Sequence, residues 1–307
     1  MSCTIEGTDA VTANDLDSFK ALLDAHFPDH ATIVPGILRI FELNLVLIQA
    51  AKMDRAAFME ALLAYPFHTY RSIAHAAIRA RAKDTMLVLL AHGWDINETL
   101  GATGLTYLAY ALTKRRPGDE EMALWLIAHG AGPNRRPVVD TTALSMAVQL
   151  ATPGFVARLL DRCGGDLHCG QLLHHALDRD VATNRDKGTD DSTVDVVAVL
   201  CVLLDRGAAR HLNRTMYADD APSQGMYCFM DLGTPLHKAA RQGNVAAVRY
   251  LLAQGADATV HSTRTKRPWT GHTAPGTPRW LRCCDMLSTG RAHQAGEIRL
   301  GMWYQYG

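Results

Sequence analysis

Cys163, His168, Cys169, His174 and His175 fall within thirteen residues, the tightest grouping of soft metal ligands in the chain. Thiolate sulfur and imidazole nitrogen are donors that zinc prefers, yet this order and spacing match neither a zinc finger nor a ribbon. No metal is therefore expected. Cys163, His168, Cys169 and His175 are the residues that would hold one. Asp190-Asp191 and Asp219-Asp220 are paired acids in polar stretches. They read first as solvated loop tips and only second as magnesium ligands. No Gly-x-Ser-x-Gly, Walker loop, dinucleotide fingerprint or His-Glu-x-x-His occurs, so no cofactor is expected.

The composition narrows the classes further. The 307 residues are 48% hydrophobic and 20% charged, enough for a sizeable core and too apolar for wholesale disorder. Lys plus Arg and Asp plus Glu are 31 each. That balance disfavours a globally basic nucleic-acid binder. Met1–Asp17 has four acids, no base and no apolar run, unlike a secretory or transit peptide. Ile37–Ile48 is too short and too polar to span a bilayer, so no membrane is expected. Seven cysteines, odd in number and irregular in spacing, fit reduced thiols in a cytoplasmic or nuclear protein.

The elements emerge from one segment, Gly233-Thr-Pro-Leu-His-Lys-Ala-Ala-Arg-Gln-Gly243 followed by Asn244 to Asp257. Thr234 can cap a helix and Pro235 suits its first position. Leu236, Ala239 and Ala240 make a small apolar stripe, and Gly243 suits a left-handed cap. Val245, Val248, Leu251 and Leu252 recur at helical spacing, and Gly255 ends the second helix. This helical hairpin resembles the ankyrin repeat, whose pattern includes Thr-Pro-Leu-His-x-Ala and a later Leu-Leu-x-x-Gly-Ala-Asp.

Weaker copies align upstream. Gln171-Leu-Leu-His-His-Ala176 pairs with Leu203-Leu-Asp-Arg-Gly-Ala208, and Thr142-Ala-Leu-Ser-Met-Ala147 with Leu159-Leu-Asp-Arg-Cys-Gly164. Thr106–Ala111 pairs with Leu126–Ala131, Arg71–Ala76 with Leu89–Asp95, and Leu45–Ala50 with Leu62-Leu63. Asn14–Leu23 resembles the second helix of an N-terminal cap. The resemblance implies an all-α ankyrin-repeat solenoid of helix-turn-helix units with finger loops, atypical caps and long insertions. The expected division is capping helices over 1–36, the solenoid over 37–260 and a C-terminal cap or tail over 261–307. Insertions are expected at about 178–191 and 209–232. The second holds Met216, Tyr217, Met226, Tyr227, Phe229 and Met230, which favours a docked loop.

The resemblance also implies a surface. Family positions carried over place Glu42, His68, Tyr70, Thr103, His168 and Asp231 before first helices. They place Lys52, Arg79, Lys114, Asp178, Arg179, Arg241 and Gln242 at the ends of those helices. Tyr227 and Phe229 join them from the insertion. Such a mixed-sign groove suits a protein or peptide, and nucleic acid is not expected. His174 and His237 occupy the family's Thr-Pro-Leu-His position, which implies a structural link between neighbouring repeats. His92 and His129 read as helix caps.

The expected function is an interaction scaffold binding a protein or peptide through its groove. The alternative is a repurposed enzyme of cyclase or isomerase type acting on a small apolar molecule. There His68, His168 or Asp231 would do acid–base work in a pocket closed by the insertion and the tail. The tail carries three of the five tryptophans and, over 261–307, seven Lys/Arg against two Asp/Glu. It is expected to cap the last repeat, with a helix over Trp280–Leu287. Folding back as a lid or binding an acidic partner are the functional readings.

Overall fold

The computed structural model describes residues 3–26, 37–64, 70–100, 104–113, 118–137, 139–163, 167–179, 192–230 and 232–262. His68, Thr103, Lys114, Asp231, residues 180–191 and the tail from 263 lie outside them, as do the side chains of Glu42 and Cys163. The described residues form two compact units, Met1–Arg135 and Arg136–Gly307.

Each unit is a stack of helix pairs. In the first, α1 (Cys3–Ala13), α3 (Ile37–Lys52), α5 (Tyr70–Ala80) and α7 (Tyr107–Leu112) pack in succession as one layer. Their partners α2 (Leu16–His26), α4 (Ala56–Leu63) and α6 (Lys83–Ala91) form a second layer, and α8 (Asp119–Ala128) pairs with α7. In the second unit, α9 (Ala143–Leu150), α11 (Leu172–Leu177) and α14 (Pro235–Gln242) make the first layer. There α10 (Pro153–Cys163), α12 (Ser192–Asp205) and α15 (Val245–Ala253) make the second. A further short helix, α13 (Ala221–Met226), lies inside the expected insertion. The one described finger with strands pairs β1 (Thr99–Leu100) antiparallel to β2 (Leu105–Thr106). The N-terminal cap is a full pair. Its first helix offers only small or isolated apolar positions such as Gly7, Ala10 and Val11, which give little periodic contrast.

Small residues set the spacing of the first layer. Ala50, Ala51, Ala74, Ala77, Ala109, Ala147, Ala176 and Ala239 are all fully buried. Without bulk at these positions, neighbouring helices approach closely and their larger aliphatics fill the space between layers. Caps then define where each first-layer helix starts. Thr106 Oγ1 accepts from the Ala109 amide at 3.2 Å. Thr142 and Ser145 form a reciprocal capping box, as do Thr234 and His237. Pro235 sits in the first turn, and Gly243 takes φ +73° to end the helix.

Upstream turns use other residues at the left-handed position. Asn14, Asp54 and Arg81 take φ near +55° (58°, 52° and 59°) between paired helices. Such a conformation costs a side-chain-bearing residue about 1 kcal/mol. Two of them bond to the next repeat. Asp54 Oδ1 accepts from the Thr85 amide at 2.8 Å, and Arg81 donates to Asp119 at 2.9 Å.

His174 makes the link between neighbouring repeats that the resemblance implies, whereas the described bonds of His237 lie within its own repeat. His174 is buried, and its Nε2 donates to the Gly233 carbonyl at 3.0 Å, tying α11 to the start of α14. The Thr234 hydroxyl donates to His237 Nδ1 at 2.7 Å. His92 and His129 are C-cap residues of α6 and α8. The His129 ring stacks on Trp125 at 3.9 Å and its Nδ1 donates to the Trp125 carbonyl at 2.8 Å.

Candidate functional site

The insertion finger of the second unit is built on a buried polar base. Asp220 caps α13, its Oδ2 accepting from the Ser223 amide at 3.1 Å. Ser223 is fully buried, and its hydroxyl oxygen accepts from the Asp140 amide at 2.8 Å. The buried Asp140 carboxylate accepts from the Gly170 amide at 2.9 Å and from Gln171 Nε2 at 2.7 Å. Gln171 Oε1 in turn accepts from the Tyr217 amide at 2.9 Å. Arg136 bridges Asp140 at 3.3 Å and Asp220 at 2.7 Å. The Met216 amide donates to the Gly233 carbonyl at 3.1 Å. Gly170 is required here: φ is +82°, and a Cβ would stand 2.3 Å from Ser145 Oγ.

What this base holds up is apolar. Tyr217 is buried and stacks on Tyr227, ring centroids 5.3 Å apart. Burial pushes the Tyr217 phenol up to about 12. Beyond that pair, Met226, Phe229 and Met230 expose 51%, 68% and 47% of their surface. Residues 221–230 contain no charged side chain. Three large exposed apolar residues on a pinned loop are not accounted for by packing of the fold.

The first unit presents a different face. Leu45, Gln49 and Lys52 follow one face of α3, and Ser72, His75 and Arg79 one face of α5, all exposed or half-exposed. The His75 ring lies 4.5 Å from that of Tyr110 on α7. At the finger end, an open depression of about 730 Å³ is lined by Tyr70, Arg71, Ser72, His75, Glu98 and Leu100. Arg71 and Glu98 pair at 3.3 Å on its rim, and the Tyr70 hydroxyl donates to the His92 carbonyl at 2.5 Å.

The expected groove residues separate under this geometry. Tyr70 and Arg79 lie on the first unit's face, and Glu42 is on α3. Arg241 is exposed near the end of α14. Asp178 is half-buried, 2.7 Å from Lys238 Nζ and 3.5 Å from His175 Nδ1. Burial alone would raise the Asp178 carboxyl, but bonds from His175 and Lys238 outweigh it and hold the group below its usual range. Burial lowers Lys238 despite the opposing charge of Asp178.

Arg179 departs from the expectation. It is 2% exposed, donates to the Val148 carbonyl at 2.6 Å and pairs with Asp195. A guanidinium in that position clamps α9, α11 and α12 together. Its partners lie 31 and 16 residues away, so no local pattern marks it as structural.

Two members of the soft-ligand grouping, His168 and His175, have different neighbours. The His168 ring packs edge-on against His211 at 5.1 Å, whereas His175 is buried beside Asp178. Among the described residues no group of three or more His, Cys, Asp or Glu converges as a metal site. His168 and His211 share a cavity of about 30 Å³ with Gln171 and Arg214, room for one or two waters. Among the described residues, no helix is long and apolar enough to cross a membrane.

Sequence reasoning missed the base of the finger, Arg136, Asp140, Gln171 and Ser223, whose bonds join segments far apart in the chain. It also missed Arg71, His75, Glu98 and Leu100, which become neighbours only when the finger folds onto α5.

Residues 231–263 match the family model of the ankyrin repeat. No curated protein matches the chain. Among solved structures, the chain is similar to the ankyrin repeat domain of Bcl-3, described as a unique member of the IkappaB protein family. That likeness has 17% identity and a TM-score of 0.43, covering 92% of this chain and 97% of that one.

Proposed function

We propose that this chain, an ankyrin-repeat protein, is a scaffold that binds a protein partner, with the insertion finger of its second unit as a principal contact. The observation that carries this reading is the exposed, uncharged Met226–Phe229–Met230 tip on a buried polar base. A rigid apolar anchor loses little conformational entropy on docking, which is the property of residues that dominate interfaces. Groove positions at the ends of first-layer helices, Arg241 among them, would add polar contacts around it. The acid–base alternative draws no support from His168, whose cavity of about 30 Å³ is too small for an organic substrate.

The test is affinity purification of the full chain with mass spectrometry for proteins and metabolites. A protein at near-stoichiometric yield is expected, and Phe229→Asp with Met230→Asp should reduce its recovery by at least about tenfold. Arg249→Glu, on the exposed side of α15, should leave recovery unchanged. A stoichiometric metabolite without a protein, or equal recovery by the tip variant, would overturn the reading.

A further inference from the structure

Lys52 and Arg79 are exposed cations on adjacent helices of the first unit. Lys52 closes α3, Arg79 lies in the last turn of α5, and these helices pack directly on each other. Among the described residues neither side chain has an ion-pair or hydrogen-bond partner. Nearby bases do: Arg71 pairs with Glu98, Arg81 with Asp119 and Lys83 with Glu121. The negative end of the helix dipole favours a cation at each of the two places. It does not account for both being exposed on adjacent helices, on the faces that continue from the depression.

The geometry gives the ligand its spacing. Ser72 borders the depression and Arg79 lies seven residues further along the same face of α5, a rise of roughly 10 Å. An extended chain covers that distance in about three residues. The depression offers Tyr70, His75 and Leu100 as partly apolar walls. Glu98 on its rim repels a continuous phosphate backbone, which argues for discrete carboxylates over nucleic acid.

We propose that this face binds an extended acidic peptide segment of a partner protein. One carboxylate sits at Lys52 and Arg79, and an apolar side chain three positions away enters the depression beside Tyr70, His75 and Leu100. This contact lies in the first unit and does not depend on the Met226–Met230 tip of the second, so either can fail alone.

Fluorescence anisotropy of the full chain tests it. The probe is a fluorescein-labelled peptide of repeated Glu-Asp-Ala-Phe, compared with its Lys-Lys-Ala-Phe counterpart. The acidic probe should bind more tightly by about tenfold or more and weaken as salt rises. Lys52→Glu with Arg79→Glu should lose at least that factor for the acidic probe and gain affinity for the basic one. Because a variant that fails to fold also loses binding, this gain is the decisive arm. Lys52→Gln with Arg79→Gln should give a smaller loss, and Phe229→Asp no change. Equal binding of both probes, no reversal in the Glu variant, or full displacement by single-stranded DNA at matched charge would overturn the proposal.

Discussion

Replacing His174 by Gln should flatten the acid side of the chain's stability curve. His174 is fully buried at the joint between α11 and α14, and burial, reinforced by the nearby Lys238 charge, lowers its pKa from 6.5 to about 3. In the unfolded chain the ring titrates near its model value of about 6.5. A folded value below the unfolded one means the neutral ring's stability is complete above about pH 6.5 and is lost as pH falls toward the folded value. Between those values each pH unit removes about 1.4 kcal/mol. From pH 7 to pH 5 the loss is about 2 kcal/mol, provided the folded value lies below about 4.5. The amide of Gln can still donate to the Gly233 carbonyl but does not titrate. Urea unfolding followed by far-ultraviolet circular dichroism at both pH values, on both proteins, isolates His174 from the other histidines. The wild type should lose about 2 kcal/mol more than the variant between the two conditions. Parallel losses would show that the imidazole titrates freely in the folded protein and refute the buried neutral joint.

Other substitutions test other joints. Arg179→Met should destabilise the second unit by about 2–3 kcal/mol, because the Val148 carbonyl and Asp195 both lose their cation. Asp195 is partly exposed and recovers some hydration, which keeps the loss from being larger. Chemical denaturation measures it, and a loss under about 1 kcal/mol would contradict the clamp. Ser223→Ala strips the buried Asp140 amide of its acceptor and should cost about 1–2 kcal/mol. Hydrogen exchange over 221–230 should rise with it; unchanged protection would separate the finger from its base. Arg81→Gly should be near neutral, since relief of the left-handed backbone offsets an ion pair worth at most about 1 kcal/mol. Arg81→Ala keeps the strain and loses the pair, so thermal unfolding should place it about 1 kcal/mol below the Gly variant.

The legible parts of the fold were those written in local chemistry. Thr234, Pro235 and Gly243 act through neighbours no more than five residues away, so their types announce the helix they bound. The buried alanines were legible because every repeat needs a thin residue at the same offset. His174 was legible for the same reason, since the joint it makes recurs with the repeat. Arg179 was not: a charged residue just after a helix reads as solvated unless its partners are known, and they arrive from α9 and α12. The insertion finger was half legible. Its aromatic and methionine content set it apart, but composition does not say which residues are buried. Tyr217 turned inward and Phe229 outward because the polar base fixes the loop's orientation.

The left-handed turns at Asp54 and Arg81 bear on whether repeats of this chain are interchangeable parts. The side chain at each strained turn bonds to the following repeat. Removed from that neighbour, the hairpin keeps the strain and loses the compensation. The Gly243 turn carries no such strain, because a glycine takes a positive φ freely. In a one-dimensional array this moves free energy from the repeat to the interface, which lengthens the cooperative block and makes partial unfolding within it costlier. The upstream repeats are thus neighbours by specification: shuffling them would separate each turn from the residue that answers it.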